Sequence, residues 1–199
     1  MQNMYFSLMK KLESLKKHLQ PGRVYRRLDI EQWSNAVDRH LHLLVADGTL
    51  QKLSGGLYYA VKPTVFGQAP AEDHDLIAAF LKDNRFVITS PNDYNKLGVG
   101  TTQLYNTRLV YNYKRHGDFK LGNRVFRFIR KSYVPEKLSK EFLLVDLVNN
   151  RKELAEDQPD LMSHVKRQAK KMDVAQLQTF VKLFGKVGTR KFFKEILVK

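Results

Sequence analysis

Residues Val24–Val61, VYRRLDIEQWSNAVDRHLHLLVADGTLQKLSGGLYYAV, decide the fold class. They read as a short strand, two helices and a two-stranded hairpin, which is the order of a winged helix-turn-helix. The second helix is expected to start at Ser34 or Asn35, whose side chains suit the free amides of a first helical turn. Behind them Ala36, Val37, Leu41, Leu44 and Val45 fall on one face, and Ser34, Asn35, Asp38, Arg39 and His42 on another. Asp47-Gly48 ends the helix, with Gly48 at a left-handed C-cap. Gln51–Ser54 and Leu57–Ala60 follow as strands separated by Gly55-Gly56, a pair suited to a tight primed turn.

A helix with an outward polar face near its N-terminus fits a major groove, where side chains read base edges. An ordinary amphipathic helix with a solvated face shows the same stripe. The ordered run of helix, turn, helix and Gly-Gly hairpin is what favours DNA. Ser34, Asn35, Arg39 and His42 are the candidate base readers, with Asp38 beside them to accept from a cytosine amine or to orient Arg39. Arg26, Arg27 and Lys52 are the candidate phosphate contacts.

The remaining composition bounds the reading. The chain has 199 residues, 43% hydrophobic and 28% charged, which is globular rather than disordered. No apolar run approaches the roughly 20 residues of a membrane span. The start, MQNMYFSLMKKLESLKK, lacks the basic-then-apolar order of a secretory signal and reads as an amphipathic helix, so a cytoplasmic location is expected. With no cysteine there is no disulfide, thiolate zinc site or cysteine nucleophile. The net charge of +15 comes from 35 Lys and Arg against 20 Asp and Glu. It is spread evenly: residues 1–62 hold ten bases and five acids, 63–132 eleven and six, and 133–199 fourteen and nine. Such a body is drawn to polyanions, although charge alone also serves solubility.

The fold class expected is α+β: an N-terminal winged helix-turn-helix over residues 1–66, then a mixed α/β domain over 67–199 with a helical C-terminal part. The first helix, Tyr5–Leu19, carries Phe6, Met9, Leu12, Leu15 and Leu19 at helical spacing, and Gln20-Pro21-Gly22 ends it. Trp33, the single tryptophan, reads as a core plug between short helices rather than a base-stacking ring. Lys62 to Ala71, with two prolines and a glycine, reads as the first boundary. Glu72–Lys82 is a helix with Leu76, Ile77, Phe80 and Leu81 inward. Strands fall within about residues 85–131, and RVFRFIR at Arg124–Arg130 alternates covered phenylalanines with a basic edge. From Pro135 the chain is helical, with Asp173 capping the helix that carries Leu177, Phe180 and Phe184.

Enzyme chemistry finds little support, and neither a catalytic, a metal nor a cofactor site is expected. Gly98-Val99-Gly100 lacks the third glycine of a dinucleotide fingerprint. His40 and His42, two apart on a helix, point in different directions and cannot pair on a metal. The acidic run Glu72-Asp73-His74-Asp75 is what a helix N-terminus attracts without any cation. Asp118-Phe119-Lys120 has the D-x-K form of a metal-dependent nuclease, but reads as a turn aspartate followed by an edge-strand lysine.

Three segments resemble the AbiE-type antitoxins, the regulator half of bacterial type IV abortive-infection toxin–antitoxin pairs. They are AVDRHLHLLVADGTLQKLSGGLYY in the N-terminal part, TSPNDYNKLGVGTTQLYNTRLVY in the middle, and GTRKFFKEIL at the end. The GLYY hairpin is shared by many bacterial winged helices, whereas LGVGTTQ is more specific. The resemblance implies a winged helix that represses its own operon at inverted repeats in double-stranded DNA. It also implies a C-terminal domain that counteracts a nucleotidyltransferase-like toxin without needing a stable complex. The chain is then expected to be a monomer or weak dimer with no membrane partner and no enzymatic activity. The alternative is a winged-helix regulator whose second domain senses a ligand or makes an oligomer, with no toxin involved.

Overall fold

The computed structural model describes residues 2–99, 101 and 103–197, with side chains from residue 9 onward. Phe6, expected inward on the first helix, and Gly100 of the LGVGTTQ segment lie outside the described side chains and residues. The chain divides into two compact units. One runs up to Asn84 and includes Lys120–Val125; the other takes Arg85–Phe119 and the chain from Phe126 on. Among the described residues no helix is long and apolar enough to cross a membrane.

In the first unit, helix α1 (Gln2–Lys16) is followed by strand β1 (Val24–Arg26), helix α2 (Arg27–Glu31) and helix α3 (Val37–Ala46). Strands β2 (Leu50–Ser54) and β3 (Leu57–Ala60) complete a three-stranded antiparallel sheet of order β1-β3-β2. The core is the set that the three- and four-residue spacings bring inward: Leu12, Leu15 and Leu19 meet Ile30, Leu41, Leu44 and Leu50. Trp33 packs on this core, stacked on His18 at 5.1 Å and edge-on to Tyr25 at 6.1 Å.

The hairpin turn differs from the expected primed form. Only Gly56 is left-handed, at φ 71°, and the register slips between Lys52 and Ser54. A bulge adds local right-handed twist, so the strands can close without a turn in which both residues are left-handed.

Beyond β3 the stretch read as a boundary forms a two-stranded ribbon, β4 (Lys62–Thr64) and β5 (Gly67–Ala69). Its tip exposes Val65 and Phe66. Helix α4 (Asp73–Leu81) buries Leu76, Ile77 and Leu81. Gly122, from the second segment of this unit, donates to the Leu53 carbonyl at 2.7 Å. Arg124 pairs with Asp73 and donates to the Ala71 carbonyl at 2.6 Å.

The second unit centres on helix α5 (Lys140–Asn150), which is buried from Phe142 to Val148. A helix apolar on every side must be enclosed, and here the surrounding elements are helices α6 (Gln158–Ala169), α7 (Val174–Phe184) and α8 (Val187–Leu197) and a short 3-10 helix, Pro91–Leu97. Side-chain oxygens start three of these helices: Ser139 accepts from Phe142 N, Asp157 from Asp160 N and Asp173 from Gln176 N, the last as expected. Phe142 sits edge-on to Tyr111, Phe180 and Phe184 at 5.0–5.9 Å between ring centres. A four-stranded sheet of order β6-β7-β9-β8 is built from β6 (Phe86–Thr89), β7 (Arg108–Asn112), β8 (Gly117–Leu121) and β9 (Arg124–Arg130), of which residues 120–121 and 124–125 belong to the first unit. In β9, Phe126 and Phe128 are buried, and exposed Arg127 pairs with Asp118 and Glu153.

Candidate nucleic-acid interface

Helix α3 buries Val37, His40, Leu41 and Leu44, an i, i+3, i+4, i+7 stripe. This fixes which way the rest of the helix faces. Asp38, Arg39 and His42 are exposed on it, and Asn35 is exposed just before it. Among the described residues Asn35, Arg39 and His42 have no hydrogen-bonding or ionic partner.

Ser34 corrects the expectation. The helix starts at Val37 with Ala36 as N-cap and no side-chain cap, so neither Ser34 nor Asn35 caps it. Ser34 is buried, with Oγ 2.7 Å from His40 Nδ1 and accepting from Ala36 N at 3.2 Å. Residues 34–36 precede the helix, so a helical wheel extended back through them misplaces their side chains. Ser34 supports the fold of this corner and faces no groove.

Arg27 is the second correction. Its backbone N–H donates to Gly56 O at 2.9 Å, while its guanidinium grips Asp38 at 2.7 and 2.8 Å and reaches Glu31 at 3.3 Å. Hydrogen bonding to Asp38 raises the arginine's pKa, and the same bond holds the Asp38 carboxyl below the usual carboxylate range. One residue thus links the Gly-Gly turn, the start of α2 and the first turn of α3. Its guanidinium is ion-paired on the surface, and Asp38 is paired with Arg27 rather than with Arg39.

Arg26 is likewise occupied. Its N–H and guanidinium both engage Asp29, at 2.9 and 2.8 Å, and it lines a cleft of about 440 Å³ that Arg23 and Lys82 share with Asp29, Asp75 and Asp83. Lys52 is exposed on β2, opposite Tyr58, and has no described partner.

His40 was not among the candidates, although its place in the apolar stripe marks it as inward. Its Nε2 is buried with no hydrogen-bond partner among the described residues. Burial lowers its pKa, and Lys11 and Arg39 push the same way. The folded state therefore keeps the ring neutral, while the unfolded chain takes up a proton near the ordinary value of about 6.5. Stability contributed by the neutral ring is complete above that value and is lost as pH falls through it toward the lower folded pKa. Urea melts at neutral and mildly acidic pH are expected to show a loss of stability in acid that His40→Gln removes. Equal losses in both proteins would count against this account.

The second unit contains a buried polar cluster that sequence reading missed. Asp146, 1% exposed, accepts from Tyr94 Oη at 2.8 Å, from Asn150 Nδ2 at 3.1 Å and from the Tyr111 hydroxyl. Burial pushes the Asp146 pKa up and raises both tyrosines. All three donors are committed to this carboxylate, which describes a structural knot rather than a reactive site. No group of three or more metal-ligating side chains occurs among the described residues.

These features define a two-unit α+β chain with three small sheets and a helical C-terminal part. No protein-family model matches it, and no curated protein is significantly similar in sequence. Its fold is similar to that in the crystal structure of the RV2827C protein from Mycobacterium tuberculosis. The TM-score is 0.58 over 94% of this chain and 74% of that one, at 16% sequence identity. At that identity the likeness is one of fold alone.

Proposed function

We propose that residues 1–66 form a winged helix-turn-helix that binds double-stranded DNA, and that the chain is the autorepressing antitoxin of a toxin–antitoxin operon. The observation that carries the DNA-binding part is the Arg27 link. It holds the Gly55-Gly56 turn and the first turn of α3 together, with Asn35, Arg39 and His42 unpartnered beside them. In a winged helix these parts meet the duplex together, the helix in the major groove and the hairpin against the backbone. Asn35, Arg39 and His42 are the proposed base readers and Lys52 the proposed phosphate contact. The antitoxin part rests on the resemblance of the three sequence segments to AbiE-type antitoxins.

Lys52→Ala is expected to weaken binding to all duplexes alike and to reduce the salt slope by about one charge. Fluorescence anisotropy across a salt series reads both; a loss confined to one sequence would make Lys52 a base reader instead.

The antitoxin role is tested by growth rescue. The candidate toxin, a nucleotidyltransferase-like protein, is induced from an unrelated promoter, so that repression plays no part, with the full-length chain supplied as wild type or Arg39→Ala. Rescue by both is expected, with neutralisation separate from base reading. Rescue by neither contradicts the antitoxin reading, and rescue by wild type alone contradicts the separation of the two roles.

A further inference from the structure

Helices α7 and α8 leave between them an open groove of about 340 Å³. Val181 and Leu197 floor it over the buried Phe193, and Lys182, Arg190 and Lys194 stand along it. We propose that this groove is a docking site for an acidic amphipathic helix of a partner protein, with the partner's apolar face on Val181 and Leu197 and its carboxylates against Lys182, Arg190 and Lys194.

Charge is the first argument. Between Val174 and Leu197 the chain has five cations, Lys182, Lys186, Arg190, Lys191 and Lys194, against the single acid Glu195. Lys182 and Lys194 form no ion pair with another described residue. Like charges crowded on adjacent helices repel one another, and an occupant bearing carboxylates relieves that repulsion as it binds. Shape is the second. A trough between two packed helices accepts a third helix by ridges and grooves, with anchors at i, i+3 or i+4, and i+7.

The aliphatic floor of Val181 and Leu197 offers nothing to a phosphate backbone and favours an apolar partner face, and it argues against a single-stranded nucleic acid in particular. Stacking needs an exposed ring, and Phe193 is 0% exposed. A second copy of this chain also fits poorly. Its own acidic helix starts, at Asp73–Asp75 and Asp157–Asp160, belong to helices whose Leu76, Ile77, Leu81 and Leu161 are already buried in their own units. The inference does not depend on the DNA-binding reading, since the groove itself is lined only by residues of α7 and α8.

The test is a selection of short displayed peptides of random sequence on the full-length chain. Anisotropy then follows with the wild type, with a Lys182→Glu and Lys194→Glu double variant, and with Gln178→Trp, which crowds the groove without changing its charge. All three positions are exposed, so the fold is kept, and thermal melts check this. Enriched peptides are expected to be acidic with a helical apolar stripe and to lose about tenfold in affinity on either variant. The proposal is overturned if no peptide is enriched, or if enriched peptides carry no excess of acid. It is equally overturned if they bind both variants as tightly as the wild type, or if an unrelated DNA duplex displaces them, which would make the groove a nucleic-acid surface.

Discussion

Asp146→Ala is expected to destabilise the protein by about 3 kcal/mol, a large part of the total stability of an ordinary domain. The carboxylate joins three elements: Tyr94 from the 3-10 helix, Tyr111 from β7, and Asn150 one turn further along α5. Tyr94 is 0% and Tyr111 4% exposed, so neither hydroxyl can turn to bulk water when its acceptor is removed. Each buried donor left without a partner costs about 1–3 kcal/mol, and these losses overlap because the donors share one site. The gain from no longer burying a carboxylate offsets part of the loss. Asp146→Asn, which keeps one acceptor oxygen, should cost less, and Tyr111→Phe about 1 kcal/mol. Guanidinium unfolding of the three variants orders them. Equal stability of wild type and Asp146→Ala would mean that the cluster does not hold the unit together.

Arg39→Ala is expected to lower affinity for the operator by about 1–3 kcal/mol and to relax base preference there. The side chain is exposed on α3, on the side away from Leu41 and Leu44, with no described partner to hold it back. An arginine so placed can offer both guanidinium edges to guanine O6 and N7. Arg27→Ala should also weaken binding, for a different reason: it frees the hairpin turn and the first turn of α3 from each other. The two differ in sequence dependence. Arg39→Ala changes which bases are preferred, whereas Arg27→Ala lowers affinity for preferred and unrelated sequences together. A competition titration with single-base operator variants separates them. Unchanged affinity for Arg39→Ala would show that α3 is not the reading helix.

What could be read in the sequence was local. The inward places of Val37, Leu41 and Leu44 on α3, the Asp173 cap and the alternation of Phe126 and Phe128 each depend on residues within one or two turns or along one strand, whereas Ala36 and Val45, expected on the same face of α3, are exposed. The pairings that hold each unit together are not local. Arg27 and Asp38, beside the candidate interface, lie eleven residues apart, and Tyr94 and Asp146, in the other unit, fifty-two, so no spacing rule pairs them. Ser34 lies before the true start of α3 at Val37, where helical periodicity does not govern side-chain direction. The ribbon Lys62–Ala69 was hidden by Pro63 and Gly67, which break patterns even where they pair across two strands. His40 completes the buried stripe of α3 although it is absent from the apolar face expected from the sequence, and its unsatisfied Nε2 depends on packing that sequence does not display.

The most direct measurement is anisotropy of the full-length chain on a labelled duplex from immediately upstream of its own operon, against an unrelated duplex of equal length and charge, at physiological salt. Specific winged-helix binding predicts an affinity at least about a thousandfold tighter for the upstream duplex. Equal affinities for the two, both falling alike with salt, would reduce the interaction to the attraction of a +15 chain for any polyanion and contradict the proposed role.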